Sequence, residues 1–388
     1  MNEHGEHGLS GPKTVPVLMP GAPLDQTYDY LVPLGLTVEP GCFVLVPFGP
    51  QTRIGVVWDK PQGDQSRAVD PKKMKAITER LDVPALPAVS LRFAEWIAGY
   101  TLAPLGLVAR MTMSAQAAFE PQKPRFGVRV VAGAQEPPRM TPARRRALDV
   151  AADGLIRVKS ALAVDAQCST GVVDGLVASG NLVEVAVPER RYPVPDAEHR
   201  ETQFTDAQAE AVHALVSSVD GEGFSVSLLD GVTGSGKTEV YFEAVAQTLR
   251  KGRQALIMLP EIALTGQFMS RFVARFGCQP AEWHSALSPA ERGRVWKAAA
   301  SGEARVIVGA RSALFLPYAD LGLVIVDEEH DAGFKQDDRV HYQARDMSVV
   351  RGSLGRFPVV LASATPSIES HVNARTGRYR QIVLPGRF

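Results

Sequence analysis

The stretch Gly231 to Thr238, GVTGSGKT, constrains this chain more than any other. Its glycines let the backbone curl until several N–H groups point into one small space. Such a loop sits between a buried strand and a helix N-terminus, whose partial positive charge adds to the N–H groups. SVSLLD before it and EVYFEAVAQTLRKG after it supply both. QALIMLP, ARVIVGA, LGLVIVDE and PVVLASAT are further continuous apolar runs, each ending in a polar or glycine-rich turn. Runs of this kind, separated by helical stretches, predict a parallel sheet buried on both faces. Residues 201–388 are therefore read as an α/β P-loop lobe.

The chain has 388 residues, enough for two or three domains. Residues 14–118 open with VPVLMPG, YDYLVP, CFVLVPFG and RIGVVWD, short apolar runs punctuated by Pro and Gly. That rhythm predicts a small, irregular β-rich domain, followed by helix in SLRFAEWIAGYTLAPLGLVARMTM. Residues 119–140 read as a basic linker, either a solvated tether or a strap beside DNA. Residues 141–200 predict three helices and a strand pair, a winged helix, with Thr141 as N-cap and Pro142 in the first turn. Residues 1–13, polar and carrying His4 and His7, read as a disordered tail.

Lysine plus arginine and aspartate plus glutamate both number 42, so nucleic-acid binding must come from local patches. Cys42, Cys168 and Cys278 lie far apart without CxxC spacing, which argues against a zinc site or a disulfide framework. No apolar run approaches bilayer length, and the start lacks the apolar middle of a signal peptide. The expectation is a cytoplasmic monomer with no membrane contact.

Each motif implies a chemistry. Gly231, Val232, Thr233, Gly234, Ser235 and Gly236 form the phosphate cradle. Lys237 is expected to reach the β- and γ-phosphates of ATP, and Thr238 to ligate Mg2+. LGLVIVDEEH delivers Asp327 to a strand end, where it would hold the same magnesium. Glu328 is then placed to orient or deprotonate the attacking water. Glu329, His330 and the small hydroxyl residues of LASATPS are positioned to pass the nucleotide state onward.

GSGKT, DEEH and SATP in that order resemble the RecA-like lobe 1 of superfamily 2 helicases. Kinases and GTPases lack the last two, and no LSGGQ-type transporter signature is present. FTDAQAEAV resembles the short motif that precedes this lobe, which implies that Gln208 reads the adenine edge. LPEIALTGQ and VGARSALFLP look like strand-end loops that touch single-stranded DNA. DAGFKQDDRVHYQARDMSVVR is similar to the aromatic-rich loop of the PriA family of bacterial replication-restart helicases. Phe334, Lys335, Tyr342 and Arg345 there mix stacking surfaces with positive charge, which suits single strands. Phe334 and Tyr342 as plain core aromatics remains the alternative. LDQTYDYLVP and VEPGCFVLVPFG resemble that family's 3′-end DNA-binding domain. The resemblance places Tyr28, Asp29, Tyr30, Gly49 and Lys75 around a terminal nucleotide. Asp29 would accept from a free 3′-hydroxyl, and Tyr30 would stack on the last base.

The resemblance implies a replication-restart protein that binds abandoned forks at the nascent 3′ end and unwinds DNA 3′ to 5′ with ATP. Its partners would be branched DNA, primosome proteins and single-stranded DNA-binding protein. The family's second helicase lobe, its segment binding two Zn2+ ions and its C-terminal domain have no counterpart before Phe388. The chain is therefore expected to bind ATP and DNA without efficient unwinding. Two other readings stand beside this one: a non-catalytic DNA-end-binding adaptor, and a RecG-type double-strand translocase.

Overall fold

A computed structural model describes residues 13–21, 26–59, 74–121, 126–187, 191–221, 223–260 and 266–386. The expected tail at 1–13 falls, apart from Lys13, outside the described residues, as does most of LPEIALTGQ. The chain divides into two compact units, one of residues 1–119 with 192–388 and one of residues 120–191.

The first unit begins with strands β1 (Thr14–Leu18), β2 (Thr27–Leu31), β3 (Phe43–Phe48), β4 (Gln51–Val57) and β5 (Glu79–Arg80). They form an antiparallel sheet in the order β2-β1-β4-β3-β5. Successive strand residues face opposite sides, so neighbours in sequence enter different cores. Val17, Val44, Val46 and Val57 pack with Tyr30 on one face. Leu18, Phe43, Val56 and Trp58 face the other way, into a much larger core. Helices α1 (Ala88–Thr101) and α2 (Leu105–Thr112) follow and line that second core.

The second unit comprises β6 (Phe126–Val130), α3 (Pro142–Ala151), α4 (Lys159–Asp165), α5 (Thr170–Ala178) and β7 (Leu182–Ala186). Thr141 caps α3, its hydroxyl accepting from the Arg144 N–H at 3.3 Å. β6 pairs antiparallel with β7. β6 therefore lies inside the stretch read as a linker, which corrects that reading. In FGVRV, Gly127 and Val128 are buried while Phe126 and Arg129 are exposed, and Val128 joins the core of this unit. The basic and proline residues around the strand hid it.

The chain returns to the first unit with α6 (Asp206–Asp220), β8 (Val226–Gly231), α7 (Lys237–Arg250), β9 (Gln254–Met258) and α8 (Gly266–Phe276). Then come β10 (Ala281–Trp283), α9 (Pro289–Ser301), β11 (Val306–Gly309) and β12 (Leu321–Asp327). A small hairpin, β13 (Lys335–Gln336) and β14 (Tyr342–Gln343), precedes α10 (Ala344–Gly355). β15 (Val359–Ser363), α11 (Ile368–Arg375) and β16 (Arg380–Leu384) complete it. The main sheet runs β10-β11-β9-β12-β15-β8-β16, parallel at every pairing. All five continuous apolar runs became strands of this sheet, and β9, β11 and β15 are buried at every residue. β8, β15 and β12 are neighbours, so their C-terminal ends stand side by side.

The antiparallel sheet and the parallel lobe share one core. Trp296 of α9 packs against Phe43 and Phe119, with ring centroids 5.7 and 5.0 Å apart. Its indole N–H donates to the Thr112 carbonyl at 2.7 Å. Arg351 of α10 is buried at the same seam and donates to the carbonyls of Leu314 and Leu316 and to the Ser90 hydroxyl. Its guanidinium lies over the rings of Phe93 and Tyr318, and burial lowers its pKa to about 10. Arg351→Met leaves the buried Leu314 carbonyl without this donor, at about 1–3 kcal/mol, while the Leu316 carbonyl still accepts from the Tyr318 N–H at 3.0 Å. A loss of about 1–3 kcal/mol in unfolding free energy is expected by urea titration, and an unchanged value would contradict the staple.

Candidate nucleotide and nucleic-acid sites

The end of β8 passes into the glycine loop. Gly234 and Gly236 have φ of 84° and 86°, the left-handed region that glycine alone adopts freely. A Cβ on Gly236 would lie 2.4 Å from the Gln208 amide nitrogen, so that position also has no room for one. Val232, Thr233 and Gly234 are exposed, while Ser235 is buried. Lys237 opens α7, and its ammonium donates to the Gly231 carbonyl at 2.6 Å and the Val232 carbonyl at 3.4 Å. The Ser235 hydroxyl is buried with no hydrogen-bond partner. An orphaned hydroxyl, an amine resting on loop carbonyls and a helix N-terminus together fit an anion such as phosphate.

Gln208 sits behind this loop. It forms a capping box with Thr205, and its amide nitrogen donates to the Ser235 carbonyl at 2.9 Å. Its amide oxygen accepts from the Thr205 N–H at 3.0 Å. Each amide atom holds a bond to protein, so the side chain braces the loop.

Asp327 ends β12. One carboxylate oxygen accepts from the Tyr241 hydroxyl at 2.8 Å and the other from the Glu328 N–H at 3.0 Å. Burial raises the Asp327 pKa, and the bond from Tyr241 opposes that rise. Tyr241 lies one turn along α7 from Thr238, so it ties the glycine-loop helix to the acidic strand end. Thr238 and Asp327 supply the oxygen donors that a hard divalent cation takes. Glu328 has a φ of 50°, a strained value for a residue with a side chain. Its carboxylate is 3.6 Å from Nδ1 of His330.

Two links join this acidic turn to the end of β15. Nδ1 of His330 is 2.8 Å from the Ser363 hydroxyl. Glu329, fully buried, accepts from the Ser367 N–H at 2.6 Å, and from the hydroxyls of Ser367 and Ser370, both at 3.0 Å. Arg345 donates to the same carboxylate at 3.1 Å and to the Ser367 hydroxyl at 2.6 Å.

That arrangement corrects part of the single-strand reading. Arg345 is buried and committed to Glu329, and Phe334 is buried in the main core. Tyr342 is also buried, its ring meeting Phe315 edge-on at 5.4 Å. Of the four residues, Lys335 alone is exposed, 3.2 Å from Asp337. The aromatic rings went to the core because the hairpin folds back onto the lobe.

The antiparallel sheet gathers the second set. The Lys75 ammonium donates to the Gly49 carbonyl at 3.4 Å, and the Lys75 carbonyl accepts from the Leu31 N–H at 3.0 Å. Gly49 is in the β3–β4 turn with a φ of 59°. Tyr28, half-buried, meets Phe48 edge-on at 5.3 Å. Asp29 is also half-buried. Tyr30 is buried, and its hydroxyl donates to the Pro47 carbonyl at 3.1 Å. Its ring belongs to the inner core and offers no stacking face, a correction to the expected role.

Residues 205–373 match the DEAD/DEAH box helicase family. Residues 15–114 match the 3′DNA-binding domain (3′BD) of PriA. Fold and site thus define a helicase-type ATPase lobe of RecA-like architecture, accompanied by a β-rich domain for DNA ends. The chain belongs to the PriA replication-restart family. Replication restart protein PriA of Haemophilus influenzae is 35% identical over 94% of this chain and 51% of its own length. That of Rickettsia felis is 32% identical over 96% and 46%. That of Bacillus subtilis is 39% identical over 56% and 28%. The chain therefore spans about half the length of the first two. Among solved structures, RecG bound to a three-way DNA junction is 24% identical over 48% of this chain and 24% of its own, with a TM-score of 0.38.

Ser235→Ala removes a buried hydroxyl that has no partner. Unfolding free energy should rise by about 1 kcal/mol in urea titration, since an unsatisfied buried group costs about 1–3 kcal/mol. A fall of that size would mean the hydroxyl is bonded.

Proposed function

We propose that this chain binds ATP with magnesium at the ends of β8, β12 and β15, and seats the 3′ end of a nascent DNA strand on the antiparallel sheet. One observation carries the reading: the glycine loop, the DEEH turn and the SATP turn lie on adjacent strand ends, within the same compact unit as the 3′-end domain.

The loop N–H groups and Lys237 hold the phosphates, with the Lys237 ammonium moving off the loop carbonyls to reach them. Thr238 and Asp327 hold the cation, and the Tyr241 hydroxyl keeps the Asp327 carboxylate aimed. Bound magnesium would offset phosphate charge during hydrolysis. Glu328 orients the attacking water, with His330 beside it. Ser363 and Glu329 then relay the state of the acidic turn to the β15 loop and α10. At the other site, Asp29 accepts from the 3′-hydroxyl, Tyr28 flanks the terminal nucleotide, and Lys75 beside Gly49 neutralises its phosphate.

In the whole protein this pair of sites serves fork recognition and 3′-to-5′ unwinding, with primosome proteins and single-stranded DNA-binding protein as partners. The second unit, three helices with a two-stranded sheet, is read as a winged helix. Among the described residues no helix is long and apolar enough to cross a membrane.

Lys237→Ala should weaken binding of a fluorescent ATP analogue at least tenfold, about 1.4 kcal/mol, with the circular dichroism spectrum unchanged. Undiminished binding would overturn the nucleotide site. Asp29→Ala should weaken binding to forks ending in a 3′-hydroxyl by about 1.5–3 kcal/mol, the worth of one charged hydrogen bond. Forks ending in a 3′-phosphate should be little affected. Equal losses on both would make Asp29 structural.

A further inference from the structure

Tyr241 is fully buried in α7, with its ring edge-on to Phe242 at 5.4 Å. Val240, Phe242, Ala244, Val245 and Ala246 are buried beside it and carry no polar side-chain atom. An apolar ring would fill that place as well. A hydroxyl there is costly unless it finds partners, and both of its partners are residues expected to supply oxygen to the cation. It donates to one Asp327 oxygen at 2.8 Å, across 86 positions of sequence. The Thr238 side chain is also hydrogen-bonded to it.

The direction of these bonds follows from counting protons. A phenol carries one, and an ionised carboxylate only accepts. The Tyr241 proton is therefore committed to Asp327. The bond with Thr238 must run the other way, the threonine hydroxyl donating and the phenol oxygen accepting. With its proton held by Tyr241, the Thr238 oxygen has lone pairs alone on its remaining sides, as a hard divalent cation requires. The second Asp327 oxygen accepts from the Glu328 N–H at 3.0 Å, so the carboxylate is fixed at both ends. Groups that hold metal ligands from behind in this way are worth about 10–100-fold in metal affinity.

We propose that Tyr241 is a positioning residue for the divalent cation, the middle of a one-way chain from Thr238 through Tyr241 to Asp327 that makes the two ligands act as a unit. The proposal rests on the reading of Thr238 and Asp327 as Mg2+ ligands. It adds to the aiming of Asp327 a polarity imposed on Thr238. The phenol oxygen thus governs the affinity for metal, while the loop N–H groups and Lys237 keep their hold on phosphate without it.

The test uses the 388-residue chain and mant-ATP, a fluorescent ATP analogue, whose affinity is read in EDTA and across a series of free Mg2+ concentrations. Tyr241→Phe keeps the ring and removes one oxygen, so the circular dichroism spectrum should not change. Affinity in EDTA should stay within about twofold of the unaltered chain, while the free Mg2+ needed for half of the Mg2+ effect should rise about tenfold. Thr238→Ala should raise that midpoint too. In the double variant the rise should fall well short of the product of the two single rises, because groups in one hydrogen-bonded chain do not act additively. An unchanged midpoint in Tyr241→Phe would overturn the proposal. So would equal losses of affinity with and without Mg2+, which would make the hydroxyl a prop for the glycine loop. Rises that multiply in the double variant would mean that Tyr241 acts on Asp327 alone, and the chain would be refuted. If the unaltered chain bound mant-ATP with no Mg2+ effect, the cation reading would fall and the proposal with it. If it bound no mant-ATP at all, the nucleotide site itself would be removed.

Discussion

The buried carboxylate of Glu329 organises the centre of the lobe. An ionised group removed from water is costly unless every oxygen lone pair finds a donor. Here one N–H, two hydroxyls and one guanidinium provide them, from Ser367, Ser370 and Arg345. These donors come from the loop after β15, from α11 and from α10. The acidic turn after β12 cannot shift without breaking bonds to all three. Register in the parallel sheet brings the strand ends together, and Glu329 locks the turns that leave them.

A second dependence runs through the seam. Strand alternation sends Phe43 and Val56 away from the inner face of the antiparallel sheet and into the lobe's core. Trp296 and Arg351 then close the junction with hydrogen bonds as well as packing. The sheet domain is thus an extension of the lobe's interior. The second unit keeps its own small core around Val128, Leu162 and Leu176.

Continuous apolar runs made the parallel sheet legible in the sequence, because strands covered on both faces need no polar alternation. The glycine loop was legible for a related reason: its backbone demands glycine at Gly234 and Gly236. What stayed hidden depends on contacts between distant positions. Tyr241 reads as one more helical aromatic until the fold sets it beside Asp327, 86 positions away. Arg345 reads as a free cation until Glu329 claims it. β16 was not among the runs singled out; its RQIVL alternates exposed and buried residues at the sheet edge. Charge and aromatic content marked 331–351 as distinctive, but composition carries no information about which side of a hairpin faces inward.

The shared core has a geometric consequence. Two seats carved into one continuous solid keep a constant span between them, whatever occupies either. A DNA terminus resting by Gly49 and a nucleotide resting by Gly234 would thus be separated by a built-in gauge length. The flanking helices of the lobe would carry that terminus with them as a lever carries its tip, with no slack joint in between to absorb the stroke.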